Sequence, residues 1–175
     1  MAVLTEPRDA IVIAGGGIAG LSLALALKQA LGSGFSIVVA DPALAAAARA
    51  DNRAYAVAAA AQAMLRALGI WDGIAATAQP MTEMIVSDSR SGDVVRPVFL
   101  TFDGEVEPGQ PFAHMIGSAA LIAALTGACR TAGVVMRDEG VRRFESGDAG
   151  VTVTLSGGEE LPARLLVAAD GARSK

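Results

Sequence analysis

Residues Ala10–Asp41 read AIVIAGGGIAGLSLALALKQALGSGFSIVVAD. Ala10–Ala14 is a short, unbroken apolar run, the mark of a strand buried on both faces in a parallel sheet. Gly15-Gly16-Gly17-Ile18-Ala19-Gly20 then fits the pattern G-x-G-x-x-G. Ile18–Ala30, rich in leucine and alanine, predicts a helix that Gly32 and Gly34 stop. Phe35–Ala40 predicts a second buried strand, closed by Asp41-Pro42. Strand, helix and strand at this spacing make a βαβ unit with a right-handed crossover, and place the chain in the α/β class.

The glycine pattern alone is a weak signal. Between a strand and a helix it has the context that a dinucleotide-binding loop requires. Gly15 permits the tight turn. Gly17 removes a side chain where a pyrophosphate approaches the backbone, and is read as a turn glycine as well. Gly20 lets the helix pack closely on the sheet. The free N–H groups near Ile18 and Ala19 face the anion, with the helix dipole behind them. Asp41 ends the second strand a little over twenty residues past the glycines. A carboxylate there accepts hydrogen bonds from a ribose hydroxyl and repels a 2′-phosphate. The bland alternative is a helix-packing glycine cluster followed by a solvated turn aspartate.

Composition agrees with a buried core. Of 175 residues, 53% are hydrophobic and 18% charged, the reverse of a disordered chain. Aromatics are 4%, so the core is built from Ala, Val, Leu and Ile. The formal net charge is −4 and no basic stretch stands out, which argues against a nucleic-acid partner. One cysteine, Cys129, and one histidine, His114, exclude an internal disulfide framework and a Cys/His zinc cluster. A reducing, cytoplasmic location fits. Ile11–Leu27 carries no charge and falls just short of a membrane span. Glu6 and Asp9 sit where a signal peptide needs basic residues, and Gly15–Gly17 interrupt the run.

Further along, Leu44–Ala50 is alanine-rich and ambiguous, and Tyr55–Leu68 is patterned as a helix with Gly69 as its stop. Met84–Ser87 and Val94–Thr101 predict strands around the turn Ser91-Gly92-Asp93. Gly104–Pro111 predicts a loop. Ser118–Ala132 predicts a second good helix, stopped by Gly133. Short strands follow at Val134–Arg137, Val141–Glu145, Val151–Leu155 and Arg164–Ala168.

Several stretches together resemble the flavoprotein aromatic hydroxylases, and within them the FAD monooxygenases of ubiquinone biosynthesis. Ile11–Gly20 is similar to their FAD fingerprint. Asp51-Asn52-Arg53-Ala54-Tyr55-Ala56-Val57, leading to Leu68–Asp72, resembles their second conserved block. Arg96–Leu100 and Pro111–Met115 resemble the ubiquinone-pathway branch. Leu165–Ser174 (LLVAADGARS) resembles an Asp-Gly motif that serves FAD and nicotinamide binding in the family. The likeness covers nearly the whole chain.

The resemblance implies a Rossmann-like FAD/NAD(P)-binding domain with a parallel sheet, formed by residues 1–80 and 112–175. Residues 81–111 would be strands of a partial, β-rich substrate-domain insertion. It implies FAD as cofactor, NAD(P)H as co-substrate and hydroxylation of a small phenolic substrate with dioxygen. It also implies that Arg53 lies along the FAD phosphates or ribityl chain, where a guanidinium suits bidentate contact, and that Asp170 holds a cofactor hydroxyl or a water. Two departures stand out. An Asn-Arg pair expected near the flavin reads Ser118-Ala119, and family members continue well past Lys175, into a Gly-Asp segment and most of the substrate domain. The chain is therefore expected to be an N-terminal fragment, inactive by itself. Another FAD- or NAD(P)-dependent oxidoreductase and a non-catalytic nucleotide-binding module are the alternatives. A membrane surface, a quinone-biosynthesis complex and a second copy of the chain stay open as partners.

No side chain is assigned as a catalytic acid or base. His114 is read as a packed or partly exposed residue at a strand end, Cys129 as a small core residue beside Leu121 and Leu125, and Trp71 as packing. Asp88 and Asp93 are read as solvated turn residues. Arg142 and Arg143 are too few to imply an anion site.

Overall fold

The computed structural model describes residues 9–45, 52–87, 92, 94, 97–103, 105–107 and 109–171. In chain order, β1 (Ala10–Ala14), α1 (Ile18–Leu31) and β2 (Ser36–Ala40) come first. They are followed by β3 (Ala54–Ala58), α2 (Ala59–Ala67), α3 (Trp71–Ile74), β4 (Gln79–Met81) and β5 (Glu83–Ser87). Next are β6 (Val98–Asp103), β7 (Glu105–Glu107), β8 (Gln110–Pro111), β9 (Ala113–Gly117) and α4 (Ser118–Thr131). The chain closes with β10 (Val135–Arg137), β11 (Val141–Gly147), β12 (Gly150–Leu155), β13 (Glu160–Ala163) and β14 (Leu165–Ala168). The residues group into two compact units, one of residues 1–51 and 119–175 and one of residues 52–118.

In the first unit a four-stranded sheet runs β10-β2-β1-β14, every pairing parallel. All five residues of β1 are buried, as the unbroken AIVIA run demands. Alternation sorts its side chains between two layers. Ala10, Val12, Val38 and Ala40 pack against Val153, Leu155, Leu161 and Ala163 of the antiparallel sheet β11-β12-β13. Ile13 faces the other way, toward Gly20 of α1. On that side α1 buries Leu21 and Leu25, and α4 buries Leu121, Leu125 and Cys129. The Cys129 thiol donates to the Leu21 carbonyl at 3.3 Å, which ties the two helices together. Full burial of each such aliphatic side chain contributes about 1.5–3 kcal/mol.

In the second unit, β3 and β4 flank β9 in an antiparallel sheet. The hairpin β5-β6 and the short pair β7-β8 each stand as separate two-stranded sheets. Two expectations are corrected here. Residues 54–58 belong to a strand rather than to the helix that follows, because Tyr55 and Val57 find partners in Ile116 and His114 across the ladder. Local alanine content favoured a helix, and tertiary pairing overrode it. The segment read as a loop at 104–111 holds the small hairpin β7-β8, with Glu105 opposite Pro111. β4 and β13 are strands that periodicity missed, being three and four residues long. Residues 46–51, 88–91, 93, 95, 96 and 172–175 lie outside the described residues, and with them Asp51, Asp88, Asp93, Arg96, most of Leu44–Ala50 and the end of the Asp-Gly motif.

Candidate functional site

The parallel strands bring their C-terminal ends to one edge of the sheet, so Gly15 after β1, Asp41 after β2 and Asp170 after β14 come together. Backbone bonds carry the ladder past the strand ends. Gly15 N–H donates to the Ala40 carbonyl at 2.9 Å, Ala169 N–H to Ala14 at 2.7 Å, and Asp41 N–H to Arg137 at 3.0 Å. An open cavity of about 780 Å³ lies at this edge, lined in part by Gly15, Asp41 and Asp170. A ligand crevice is expected beyond the carboxyl ends of such a sheet.

The three glycines of the pattern have different reasons to be there. Gly15 sits at φ +115°, a conformation that L side chains rarely adopt, and a Cβ would strike the Ala169 backbone. A Cβ on Gly20 would collide with the Gly15 carbonyl oxygen and touch Ile13, so this glycine is required by close packing. Gly17 differs from both. Its φ of −79° and ψ of −177° are ordinary extended backbone, and a Cβ there would meet no atom of the described residues within 4 Å. The reading of Gly17 as a turn glycine is therefore corrected: what its missing side chain leaves is open space at the start of α1.

That helix start is uncapped. No side chain of the described residues caps it, and its first turn holds no acidic residue. The N–H groups of Ile18 and Ala19 thus have no intrahelical acceptor, and they open a helix of fourteen residues. Open space over uncapped N–H groups matches what a dinucleotide pyrophosphate needs.

Asp41 is no ordinary solvated turn residue. One carboxylate oxygen accepts the Gly16 N–H at 2.7 Å and the other accepts the Ala43 N–H at 2.7 Å. The carboxylate thereby braces the glycine loop against the turn after β2. Each oxygen keeps a lone pair for a further donor. Gly16 was not singled out from sequence, although its position inside the pattern was visible. Asp170 is exposed at the same rim.

Arg53 lies in the other unit, at the entry to β3. Its carbonyl accepts the Ser118 N–H at 2.9 Å, and its guanidinium lies 6.0 Å from the Tyr55 ring centre. Ser118, where an asparagine was expected, is fully buried at the start of α4. His114 sits within β9 rather than at its end. Its ring meets Trp71 edge-on at 5.0 Å, as a packing role requires. Cys129 is likewise buried, and burial pushes its thiol above the ordinary value. The cavity also takes in Arg142 and Arg143 from β11, set aside in the sequence reading, and Phe144, which was not singled out there. Their signal was a phenylalanine in an otherwise charged run, where strand alternation breaks down.

Among the described residues no group of three or more His, Cys, Asp or Glu could hold a metal ion. No helix among them is long and apolar enough to cross a membrane.

Comparison with known proteins bears on this edge of the sheet. The chain is 35% identical over 170 residues to the ubiquinone hydroxylase UbiL of Rhodospirillum rubrum, covering 94% of this chain and 38% of that protein. It is 31% identical over 179 residues to the 3-demethoxyubiquinol 3-hydroxylase of Escherichia coli, covering 98% and 44%. The chain thus spans less than half the length of these relatives. Among solved structures, 2-methyl-3-hydroxypyridine-5-carboxylic acid oxygenase superposes with a TM-score of 0.70 at 25% identity, over 96% of this chain and 41% of that one. The fold is shared by the flavin-dependent monooxygenase PieE, solved with FAD and substrate, at a TM-score of 0.71 and 24% identity over 95% of this chain and 31% of that one. The sequence profile of the FAD binding domain matches residues 8–175. The glycine loop, the uncapped helix and the braced aspartate are the structural side of that match, and the chain belongs to the FAD binding domain family.

Proposed function

We propose that this chain is the FAD-binding part of a flavin-dependent monooxygenase that hydroxylates a phenolic, polyprenylated precursor in ubiquinone biosynthesis, using NAD(P)H and dioxygen. The observation that carries the reading is the likeness, over nearly the whole chain, to two hydroxylases whose names place them on ubiquinone or its precursor. The flavin supplies the oxygen-transfer chemistry when bound, and the protein binds and orients it and keeps water from the reacting centre.

In this reading Ile18 and Ala19 give their N–H groups to the pyrophosphate over the space at Gly17, while Gly15 and Gly20 hold the loop and helix in place. Asp41 accepts from the adenosine ribose while bracing Gly16. Asp170 meets the cofactor at the rim, and Arg53 serves its phosphates or ribityl chain. Residues 1–80 and 112–175 form the FAD-binding domain. Residues 81–111 belong to the substrate side, supported by the pairing of β5 with β6 and of β7 with β8 only.

The test has two stages. FAD is titrated into the purified chain, with saturable binding expected. Protein from the intact gene is then given NAD(P)H, oxygen and a methoxyphenol, with hydroxylated product expected. Binding without any phenol-dependent product would leave a nucleotide-binding module. Absence of FAD binding would overturn the cofactor assignment as well.

A further inference from the structure

Two short connections meet beside the cavity at the end of the parallel sheet. One leads from β10 to β11 and carries Asp138, Glu139 and Gly140, and the other leads from β12 to β13 and carries Ser156, Gly157, Gly158 and Glu159. Gly140 and Ser156 line the cavity, and the Ser156 N–H donates to the Gly140 carbonyl at 2.8 Å. Directly behind them, a carboxylate oxygen of Glu139 accepts the Gly157 N–H at 2.5 Å, and Arg137 pairs with Glu159 at 3.3 Å. The ion pair is open to solvent and contributes little. The Glu139 bond is charge-assisted, which makes it the stronger tie.

Gly157 is fitted to that bond. A Cβ there would strike the Glu139 carboxylate. Its neighbour Gly158 supplies the positive φ of the turn, at 92°, whereas Gly157 lies outside the left-handed region. The missing side chain of Gly157 therefore serves the carboxylate rather than the backbone.

On its other side the first connection meets the turn after β2. The Arg137 carbonyl accepts the Asp41 N–H at 3.0 Å, and a Cβ on Gly140 would sit 3.3 Å from the Pro42 ring. Asp41 is thus held twice. Its own carboxylate bonds to Gly16 and Ala43 set it against the glycine loop. The clasp at Glu139 sets the backbone that carries it against the opposite wall of the cavity.

We infer that Glu139, through its bond to Gly157, is a positioning residue that fixes the turn carrying Asp41 and so aims that carboxylate at the adenosine ribose. This rests on the cofactor reading above. Glu139 is not among the residues that line the cavity, so it acts through Arg137 and Gly140 rather than on the ligand. Hydrogen bonds weaken steeply when misdirected, so a small shift of the turn is felt at the ribose hydroxyls first.

The experiment is calorimetry with FAD, with ADP and with 2′,3′-dideoxy-ADP, which lacks the ribose hydroxyls. It compares the parent chain with Glu139→Ala, Glu139→Gln and Gly157→Ala, and records the melting temperature of each ligand-free protein. The parent is expected to bind ADP more tightly than the dideoxy form. Glu139→Ala and Gly157→Ala open the same bond from its two ends. Each is expected to weaken FAD and ADP by about 2- to 10-fold, the lower range of coupling within one network, and to leave the dideoxy form unchanged. Glu139→Gln keeps an acceptor oxygen and is expected to bind as the parent does. Gly157→Ala displaces only the end of a flexible side chain, so its melting temperature is expected to stay near that of the parent. Equal losses on ADP and the dideoxy form would mean a general loosening and would overturn the inference. So would unchanged ADP affinity in both alanine variants, and either result leaves the cofactor reading intact. A parent that binds no FAD, or that binds ADP and its dideoxy form alike, would overturn the ribose role of Asp41, and this inference with it.

Discussion

At the residue scale, Gly17 and Asp41 separate binding from folding in opposite ways. Gly17 has ordinary dihedral angles and no described residue within 4 Å of a Cβ, so a side chain there costs the protein little. It would stand in the pyrophosphate's place. Gly17→Val is expected to keep the parent melting temperature and to lose FAD affinity by more than about 100-fold, the loss of two charge-assisted hydrogen bonds. Equal affinities would take the pyrophosphate away from this loop. Asp41 serves both roles, since its oxygens hold the Gly16 and Ala43 N–H groups at 2.7 Å. Asp41→Ala is expected to destabilise the FAD-free chain by about 1–3 kcal/mol in urea denaturation, and to weaken FAD binding on top of that. A mutant as stable as the parent would show that water replaces the carboxylate without loss. Asp41 as a ribose ligand was legible in the sequence from its distance past the glycines. Its grip on Gly16 was not, because that bond joins residues 25 apart in the chain and exists only once β1 and β2 lie side by side.

At the element scale, α1 and α4 share an apolar contact closed by Cys129. Burial holds the thiol protonated, and its value lies above the ordinary 9.0. A raised acid value in the folded state means that the folded chain binds more protons than the unfolded one between the two values. This contribution is fully present below the unfolded value and is lost as pH climbs through about 9 toward the folded value. The stability of the parent is thus expected to fall more steeply above pH 9 than that of Cys129→Ala, as read by denaturation midpoints against pH. The thiol should also resist iodoacetamide until the chain unfolds, and prompt labelling of the native protein would contradict its place between the helices. The leucine-rich periodicity of both helices was legible in advance. The strand at 54–58 was not, since its alanines favour a helix and only pairing with β9 overrides that preference.

At the scale of the whole molecule, the hairpin β5-β6 carries large apolar side chains on both faces. Leu100 and Phe102 oppose Val86 and Met84, while Ile85 opposes Thr101 and shares the other face with Phe99. Phe99 is 75% exposed and Ile85 56%. Among the described residues each strand pairs only with the other, which leaves two edges open there. The 175-residue chain is expected to self-associate with rising concentration in light scattering, and Phe99→Lys to shift that onset to higher concentration. A monodisperse parent at high concentration would show that the exposed hairpin is no liability.

The sequence by itself determined the βαβ unit, the parallel character of its sheet, the glycine loop and the acid that follows it. These are local signals, with periodicity, turn chemistry and spacing all lying within residues 10–41. It also determined the family, because the motifs stand in the right order along the chain. Only the tertiary structure decided how the site is assembled. It joined β14 and β10 to the sheet, brought Asp170 to the rim beside Gly15, and placed β11 against the turn after Asp41. It also distinguished the glycine that leaves room for a ligand from the two that leave room for the protein. The physical reason is the same in each case. Contacts between residues distant in sequence depend on which strands pair and in what register, and a bulge of a single residue between Val141 and Arg143 is enough to set Phe144 opposite Val153.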